Sequence, residues 1–384
     1  MRKITRIVVL GAGNSGCFTA LSLSWHSRHQ DNFEIRLIHD PKIRPEKVGQ
    51  ATFPPQLLLL WRMFPNDFNF YLNPIHATTK TGILYENWGK VNRKVFHPFP
   101  AKEVAIHFCP SQLQDYILRS GVFEVEENTI DNLDDIDADY IIDCRGKPDN
   151  FDHYDTLTSP VNSAILAKPR WDVSRNLWTQ AIATPDGWTF VIPNQETSPS
   201  FQGSIGYLYN SKITSRGDAE KNLSKLFDAN ISTHLSFNNY LAKEPIPDER
   251  TFLSGNRLFF IEPLEATAVH THMHWADTIF DVINGNTHPL FASHYIRNVI
   301  TEIQDFLLWH YQFGSIYQTP FWDHAKTLEY SEPEKFNQFL TTVDTLDMNE
   351  MISREAVGQL PSYGVHAASS AKYWMDGMTI SSKD

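Results

Sequence analysis

Cysteine is scarce in this chain. Three residues, Cys17, Cys109 and Cys144, lie far apart among 384 and form no C-x-x-C pair. That excludes a disulfide framework and a thiolate zinc site, and it points to a reducing, cytoplasmic compartment. Positive charge is in deficit: 33 Lys and Arg against 45 Asp and Glu leave a formal net charge of −12. A general binder of nucleic acid or of an anionic membrane surface needs the opposite sign, so neither partner is expected. Long apolar runs are missing too. No segment approaches a transmembrane length, and the run in "MRKITRIVVLGAGNSG" breaks into glycine too early for a signal peptide.

What is plentiful is aromatic. Phe, Tyr and Trp make up 13% of the chain, with 25 Phe and 10 Trp. This suits a large ordinary core, and equally a protein that encloses a flat organic cofactor or substrate. The length allows one large domain or two ordinary ones.

The opening reads as a nucleotide-binding unit. "RIVVL" is a continuous apolar run of the kind buried in a parallel sheet; "GAGNSG" follows, then "CFTALSLSW" with apolar residues at helical spacing. A second strand, "FEIRLIHD", ends at Asp40. Gly11, Gly13 and Gly16 therefore occupy a strand-to-helix turn where a pyrophosphate can approach the backbone, and Asp40 can bind a ribose hydroxyl. Composition and periodicity do not separate NAD from FAD.

"DADYIIDCRGKP" reads as a further strand of the same sheet. Between about residues 160 and 260, short alternating runs separated by Pro, Gly and Asn predict an antiparallel sheet. "HYIRNVITEIQDFLLWHYQF" and "EKFNQFLTTVDTLDM" carry helical periodicity. The expected fold is α/β: a GxGxxG Rossmann-like layer, an antiparallel substrate-side sheet and a helical carboxy-terminal part. No repeat or low-complexity linker divides it. Residues 1–330 are expected to form one unit, with the nucleotide layer near 1–50, 100–150 and 250–285 and the sheet near 75–100 and 160–250; residues 331–384 form the helical end.

Several segments resemble, in order, those of the flavin-dependent halogenases, with a flavin monooxygenase-like fold. "KVGQATFPP" (47–55) is similar to the family's Val-Gly-Glu-Ala-Thr-x-Pro segment, and "TTKTGILYENWG" (78–89) to its Phe-Lys-x-Gly segment leading to Asn-Trp. "FHPFP" (96–100) resembles its His-Pro-Phe element and "GWTFVIP" (187–193) its Gly-Trp-x-Trp-x-Ile-Pro motif. "EPLEAT" (262–267) matches Glu-Pro-Leu-Glu-Ser/Ala-Thr, and "DFLLWHYQFGSIYQTPFW" (305–322) is close to the Asp-Phe…His-Tyr…Thr-Pro-Phe-Trp stretch.

The resemblance implies reduced FAD supplied by a separate flavin reductase, and a halide ion (chloride, bromide or iodide). With oxygen, these give hypohalous acid, which a lysine passes to an electron-rich aromatic such as an indole, phenol or pyrrole. Lys80 holds the lysine position; an ammonium there can hydrogen-bond to hypohalous acid or carry the halogen as a haloamine. Gln50, Ala51 and Thr52 fall in the flavin-binding segment, Phe190, Ile192 and Pro193 on the substrate side. Thr267 and Ala268, at the start of an expected helix, carry the backbone N–H groups that bind halide in the family. Glu265 is expected to be a carboxylate that can stabilise the cationic ring and help accept its proton. At ~4 Å and an effective dielectric near 20, opposite unit charges attract by about 4 kcal/mol, on the order of a thousandfold in rate if realised only in the transition state. For Glu262, a favourable first-turn acid and a functional role both stand.

"HTHMH" offers a rival reading as a metal site. On a helix His270 and His274 share a face while His272 points elsewhere, so no three-ligand cluster forms and no metal is expected. The chain departs from the family at Gln50 (usually Glu), Phe190 (usually Trp) and Ala268 (often Gly); the last bears on which halide fits. Its carboxy-terminal part is also smaller than in the tryptophan halogenases, so free tryptophan is not the first choice of substrate. A homodimer is compatible with the sequence. The competing readings are an FAD-dependent aromatic monooxygenase and a non-catalytic flavin-binding protein.

Overall fold

The structure is a computed structural model that describes residues 4–45, 48–68, 73–90, 94–99, 103–173, 175–193, 203–360 and 362–379. Its first layer is a five-stranded, wholly parallel sheet in the order Thr251–Leu253, Tyr140–Asp143, Thr5–Leu10, Phe33–His39, Glu124–Glu127. The central strand is apolar throughout its second half because both of its faces are covered, and Ile7, Val8, Val9 and Leu10 are all buried. One cover is the helix Asn14–Ser27, on which the helix Thr267–Ile283 packs in turn.

The second layer is a seven-stranded sheet in the order Ala229–Ser236, Ser163–Pro169, Ser204–Tyr209, Gly187–Ile192, Thr179–Thr184, Gly82–Glu86, Lys94–Pro98. All its pairings are antiparallel except that of Thr179–Thr184 with Gly82–Glu86. The strand Thr78–Lys80 belongs elsewhere, in a three-stranded sheet with Gln50–Ala51 and Ala105–Phe108. The apolar run "RLFFIEP" (257–263) is a strand only at Phe259–Phe260, since a 3-10 turn at Gly255–Arg257 precedes it and Pro263, which lacks an N–H, follows.

The carboxy-terminal helices close the site from outside. Pro289–Gln312 is almost wholly buried along its second half, and Ala368–Thr379 returns to the strand Lys94–Pro98. There the Ser370 hydroxyl meets His97 Nε2 at 3.2 Å, and the rings of His97 and Tyr373 lie 5.7 Å apart.

Candidate active site

The glycines of the first turn serve two different ends. Gly11 sits at φ 106°, and a Cβ there would come within 2.7 Å of the Cys144 carbonyl oxygen; one at Gly16 would stand 1.8 Å from the Gly11 oxygen. Gly13 differs. It caps the helix Asn14–Ser27 in an extended conformation, and nothing lies within 4 Å of the place its Cβ would occupy. Above it opens a cleft of about 220 Å³ whose lining includes Gly11, Gly13, Asp40, Arg44, Thr129 and Gly146. Asp40 accepts the Lys42 N–H and the Thr129 hydroxyl, each at 2.8 Å, which hold its carboxyl below the usual range. Free helix N–H groups, an unfilled backbone cradle and an ionised acid at the next strand tip fit the phosphates and a ribose of a dinucleotide such as FAD.

The second half of the site is an enclosed charge cluster. Lys80 ends its strand paired with Ala105 and is completely buried. Its ammonium donates to the Thr52 carbonyl at 3.3 Å, and sits 5.3 and 5.1 Å from the centres of the Phe53 and Phe99 rings. Burial pushes Lys80 down to about 8, against the attraction of Glu265. Phe53 is held in turn: its N–H donates to Gln56 Oε1 at 2.9 Å, and Gln56 Nε2 reaches His270 Nδ1 at 3.2 Å.

Glu265 and Ala266 both adopt left-handed backbone, at φ 66° and 53°, immediately before the helix that begins at Thr267. Two consecutive non-glycine residues in that region are costly, about 1–3 kcal/mol each, and such strain concentrates at functional sites. Glu265 therefore lies ahead of the first turn of that helix, with its side chain buried in the core. Tyr85 donates its hydroxyl to Glu265 Oε1, and His310 Nε2 stands 2.8 Å from the same oxygen. Burial favours the neutral acid, but the hydrogen bond and charge of His310 outweigh it and hold Glu265 below the ordinary carboxylate range. Trp374 covers the cluster, 4.1 Å from the His310 ring and 4.6 Å from Tyr85.

The start of the helix Thr267–Ile283 fits an anion. The Thr267 hydroxyl is buried and has no hydrogen-bond partner among the described residues, beside the first N–H groups of the helix, which intrahelical bonds leave unused. The three histidines that follow diverge: His270 meets Gln56, His274 Nε2 lies 2.6 Å from the Tyr295 hydroxyl, and His272 packs on Phe259. Burial pushes His270 down to about 4 and His272 to about 3.

Other expected residues are placed as follows. Gln50 and Ala51 pair with Phe108 and His107; Thr52 uses its hydroxyl on Ile106 and its carbonyl on Lys80. Phe190 and Ile192 are buried in the seven-stranded sheet, Phe190 lying over Gly206, and the Pro193 carbonyl accepts the Thr78 hydroxyl at 2.6 Å. Glu262 accepts from Tyr311 at 2.8 Å, Trp188 Nε1 at 3.1 Å and the Leu264 N–H at 3.2 Å. Burial pushes its carboxyl up to about 7. Sequence reasoning did not single out Tyr85, His310 or Trp374. The first two stand inside quoted motif segments, which was the available signal, while Trp374 carried none.

The sequence model of the tryptophan halogenase family matches residues 6–129 and 122–357. Tryptophan 7-halogenase KtzQ of Kutzneria sp. (strain 744) is 22% identical over 437 aligned positions, covering 86% of this chain and 80% of that protein. Tryptophan 7-halogenase RebH of Lentzea aerocolonigenes is also 22% identical, over 70% of this chain and 55% of its own length. Among solved structures, the lanthipeptide tryptophan 5-halogenase MibH superposes with a TM-score of 0.80 at 16% identity, covering 98% of this chain and 86% of MibH. A flavin-dependent halogenase from Xanthomonas campestris gives 0.78 at 20% identity, over 99% and 90%. With the parallel nucleotide layer and the helix at Thr267 in place, the family match over most of the chain is decisive: this protein belongs to the tryptophan halogenase family of flavin-dependent halogenases.

Proposed function

We propose that this chain halogenates an electron-rich aromatic small molecule of the indole, phenol or pyrrole type, with Lys80 delivering the halogen and Glu265 taking the ring proton. The observation that carries the reading is a fully buried ammonium, donating to the Thr52 carbonyl at 3.3 Å, in the same interior as a buried carboxylate fixed by Tyr85 and His310; burial pushes Lys80 down to about 8, and Glu265 is held below the ordinary carboxylate range.

Reduced FAD, when bound at the Gly11–Gly16 turn with Asp40 on its ribose, supplies with oxygen the oxidant that converts halide to hypohalous acid. Gln50, Ala51 and Thr52 flank it, and a separate flavin reductase keeps it reduced. Halide rests on the N–H groups of Thr267 and Ala268. Lys80 donates a proton to the oxygen of hypohalous acid, so the oxygen departs as water while the halogen bonds to a ring carbon. The hydrogen on that carbon then leaves as a proton to Glu265, and the ring recovers its aromaticity. Phe53 and Phe99 shield the Lys80 ammonium from water, which strengthens its hydrogen bond to hypohalous acid. Phe190, Ile192 and Pro193 border the substrate side.

The test is a mass-spectrometric assay with FAD, a flavin reductase, NADH and oxygen, run with chloride, bromide and iodide against a panel of indoles, phenols and pyrroles. Halogenated product that disappears in Lys80→Ala and Glu265→Ala, both still binding FAD, supports the proposal. Oxygenated product with no halide dependence would refute it in favour of an aromatic monooxygenase.

A further inference from the structure

His310 is buried on the helix Pro289–Gln312, and its two ring nitrogens face different partners. Nδ1 lies 2.8 Å from the carbonyl oxygen of Phe306, one helical turn back. A carbonyl only accepts, so Nδ1 carries a hydrogen. Nε2 lies 2.8 Å from Glu265 Oε1. In the neutral ring Nε2 would then hold a lone pair, and two lone pairs cannot face each other at that distance. One further proton therefore sits between Nε2 and Oε1.

Which partner owns that proton follows from the surroundings. The Tyr85 hydroxyl donates to the same Oε1, and the Lys80 ammonium attracts Glu265. Both favour carboxylate over acid, which makes His310 an imidazolium and the pair an ion pair. Both hydrogen bonds from the described residues fall on Oε1, which leaves Oε2 as the basic oxygen.

We infer that His310 is the positioning residue of this site: with Tyr85 it locks Oε1 of Glu265 as a carboxylate, and so aims Oε2 at the substrate ring. This rests on the halogenase reading of Glu265 given above. His310 makes no contact with the reacting atoms in this scheme and gives up no proton. Its imidazolium keeps the negative charge on Glu265 before the cationic ring forms, so no reorganisation is needed when it does. The ring is clamped for that purpose, between Phe306 at 5.0 Å and Trp374 at 4.1 Å. The titratable groups that act on Glu265 are Lys80, Tyr85, His97, His310 and His366, and Glu262 acts on Tyr85. Burial lowers His97 and His366.

The experiment compares His310→Phe with His310→Gln, whose side-chain amide can still donate to Oε1. In His310→Phe, kcat for arene halogenation falls on the order of a hundredfold, while KM for the arene, FAD affinity and release of hypohalous acid to a monochlorodimedone trap stay within about threefold, the scatter allowed to an indirect effect. Gln restores at least about tenfold of the loss, one lost charge-assisted bond being worth roughly that. The acid limb of the kcat profile moves to higher pH in the Phe variant, because Glu265 loses the cation that holds it ionised. A parallel fall in trap signal and FAD binding would reduce His310 to a structural residue and overturn the inference, as would an unchanged kcat and acid limb. ¹⁵N-histidine NMR separates this from failure of the parent reading. Should the wild type make no halogenated product, an imidazolium at His310 at neutral pH that becomes neutral in Glu265→Gln still upholds the lock, and a neutral ring in the wild type overturns it.

Discussion

Lys80 and Thr52 are joined by a 3.3 Å hydrogen bond from an ammonium to a carbonyl, and no carboxylate oxygen lies within ion-pair distance of Lys80 among the described residues. The protein therefore holds a buried cation on one neutral acceptor and two aromatic rings, a weak return for its lost hydration. Folded Lys80 titrates near 8 against an ordinary 10.5, so the unfolded chain binds the extra proton between those values and stability rises as pH climbs through that window. Lys80→Met removes the penalty. Urea unfolding at pH 7 is expected to show it more stable by about 1–3 kcal/mol, with halogenation abolished. A less stable Lys80→Met would mean that the ammonium is better solvated than its burial implies.

Gly13→Ala separates folding from cofactor binding. Its backbone is extended and the space beyond its absent Cβ is open, so alanine fits the bare protein. The added methyl points to where a pyrophosphate must approach. Melting temperature without flavin should change little, by less than about 0.5 kcal/mol equivalent, while FAD dissociation measured by flavin fluorescence weakens at least about tenfold, from lost close approach to the turn. Equal affinity in the variant would place the phosphates elsewhere in the cleft.

Glu262 supplies a pH signature of the opposite sign to Lys80. Burial raises it to about 7 from 4.5, so its favourable share of stability is complete below 4.5 and is lost as pH rises through 7. Glu262→Gln keeps a carbonyl for Trp188 and Leu264 and offers its amide to the Tyr311 oxygen. The difference in unfolding free energy between variant and wild type should therefore shift in the variant's favour by about 1–3 kcal/mol from pH 4.5 to 7.5. A difference that stays flat across that range would show the carboxyl to be ionised throughout.

The parts of this site readable in the sequence are those that are local. Gly11, Gly13 and Gly16 share one turn, and Asp40 ends the next strand, so period and punctuation alone locate them. Lys80 and Glu265 stood out only through the motif segments around them; nothing in their immediate neighbours distinguishes a buried lysine from a surface one. The partners of Glu265 were out of reach for a different reason. His310 and Tyr85 are 45 and 180 residues away, and they converge only because the seven-stranded sheet and the long helix are packed against each other. The left-handed backbone at Glu265 was hidden as well, since "PLEAT" contains no glycine to announce it.

Trp374 is the extreme case, because it lies in the last described helix and yet completes the cluster. It is 1% exposed and packs on Tyr85, Trp88, His310 and Phe313, while its indole N–H is buried without a partner among the described residues. A buried N–H without a partner carries only its desolvation cost, so removing it loses no bond and the ring area is what phenylalanine gives up. Trp374→Phe is expected to cost less than about 1.5 kcal/mol, as a reduced but still aromatic filler. Trp374→Ala should cost about 3–5 kcal/mol through the cavity it leaves over His310. Comparing the two by urea unfolding isolates packing from hydrogen bonding. Phe as damaging as Ala would mean that the indole N–H has a partner after all, and that the helix Ala368–Thr379 is held to the site by more than its rings.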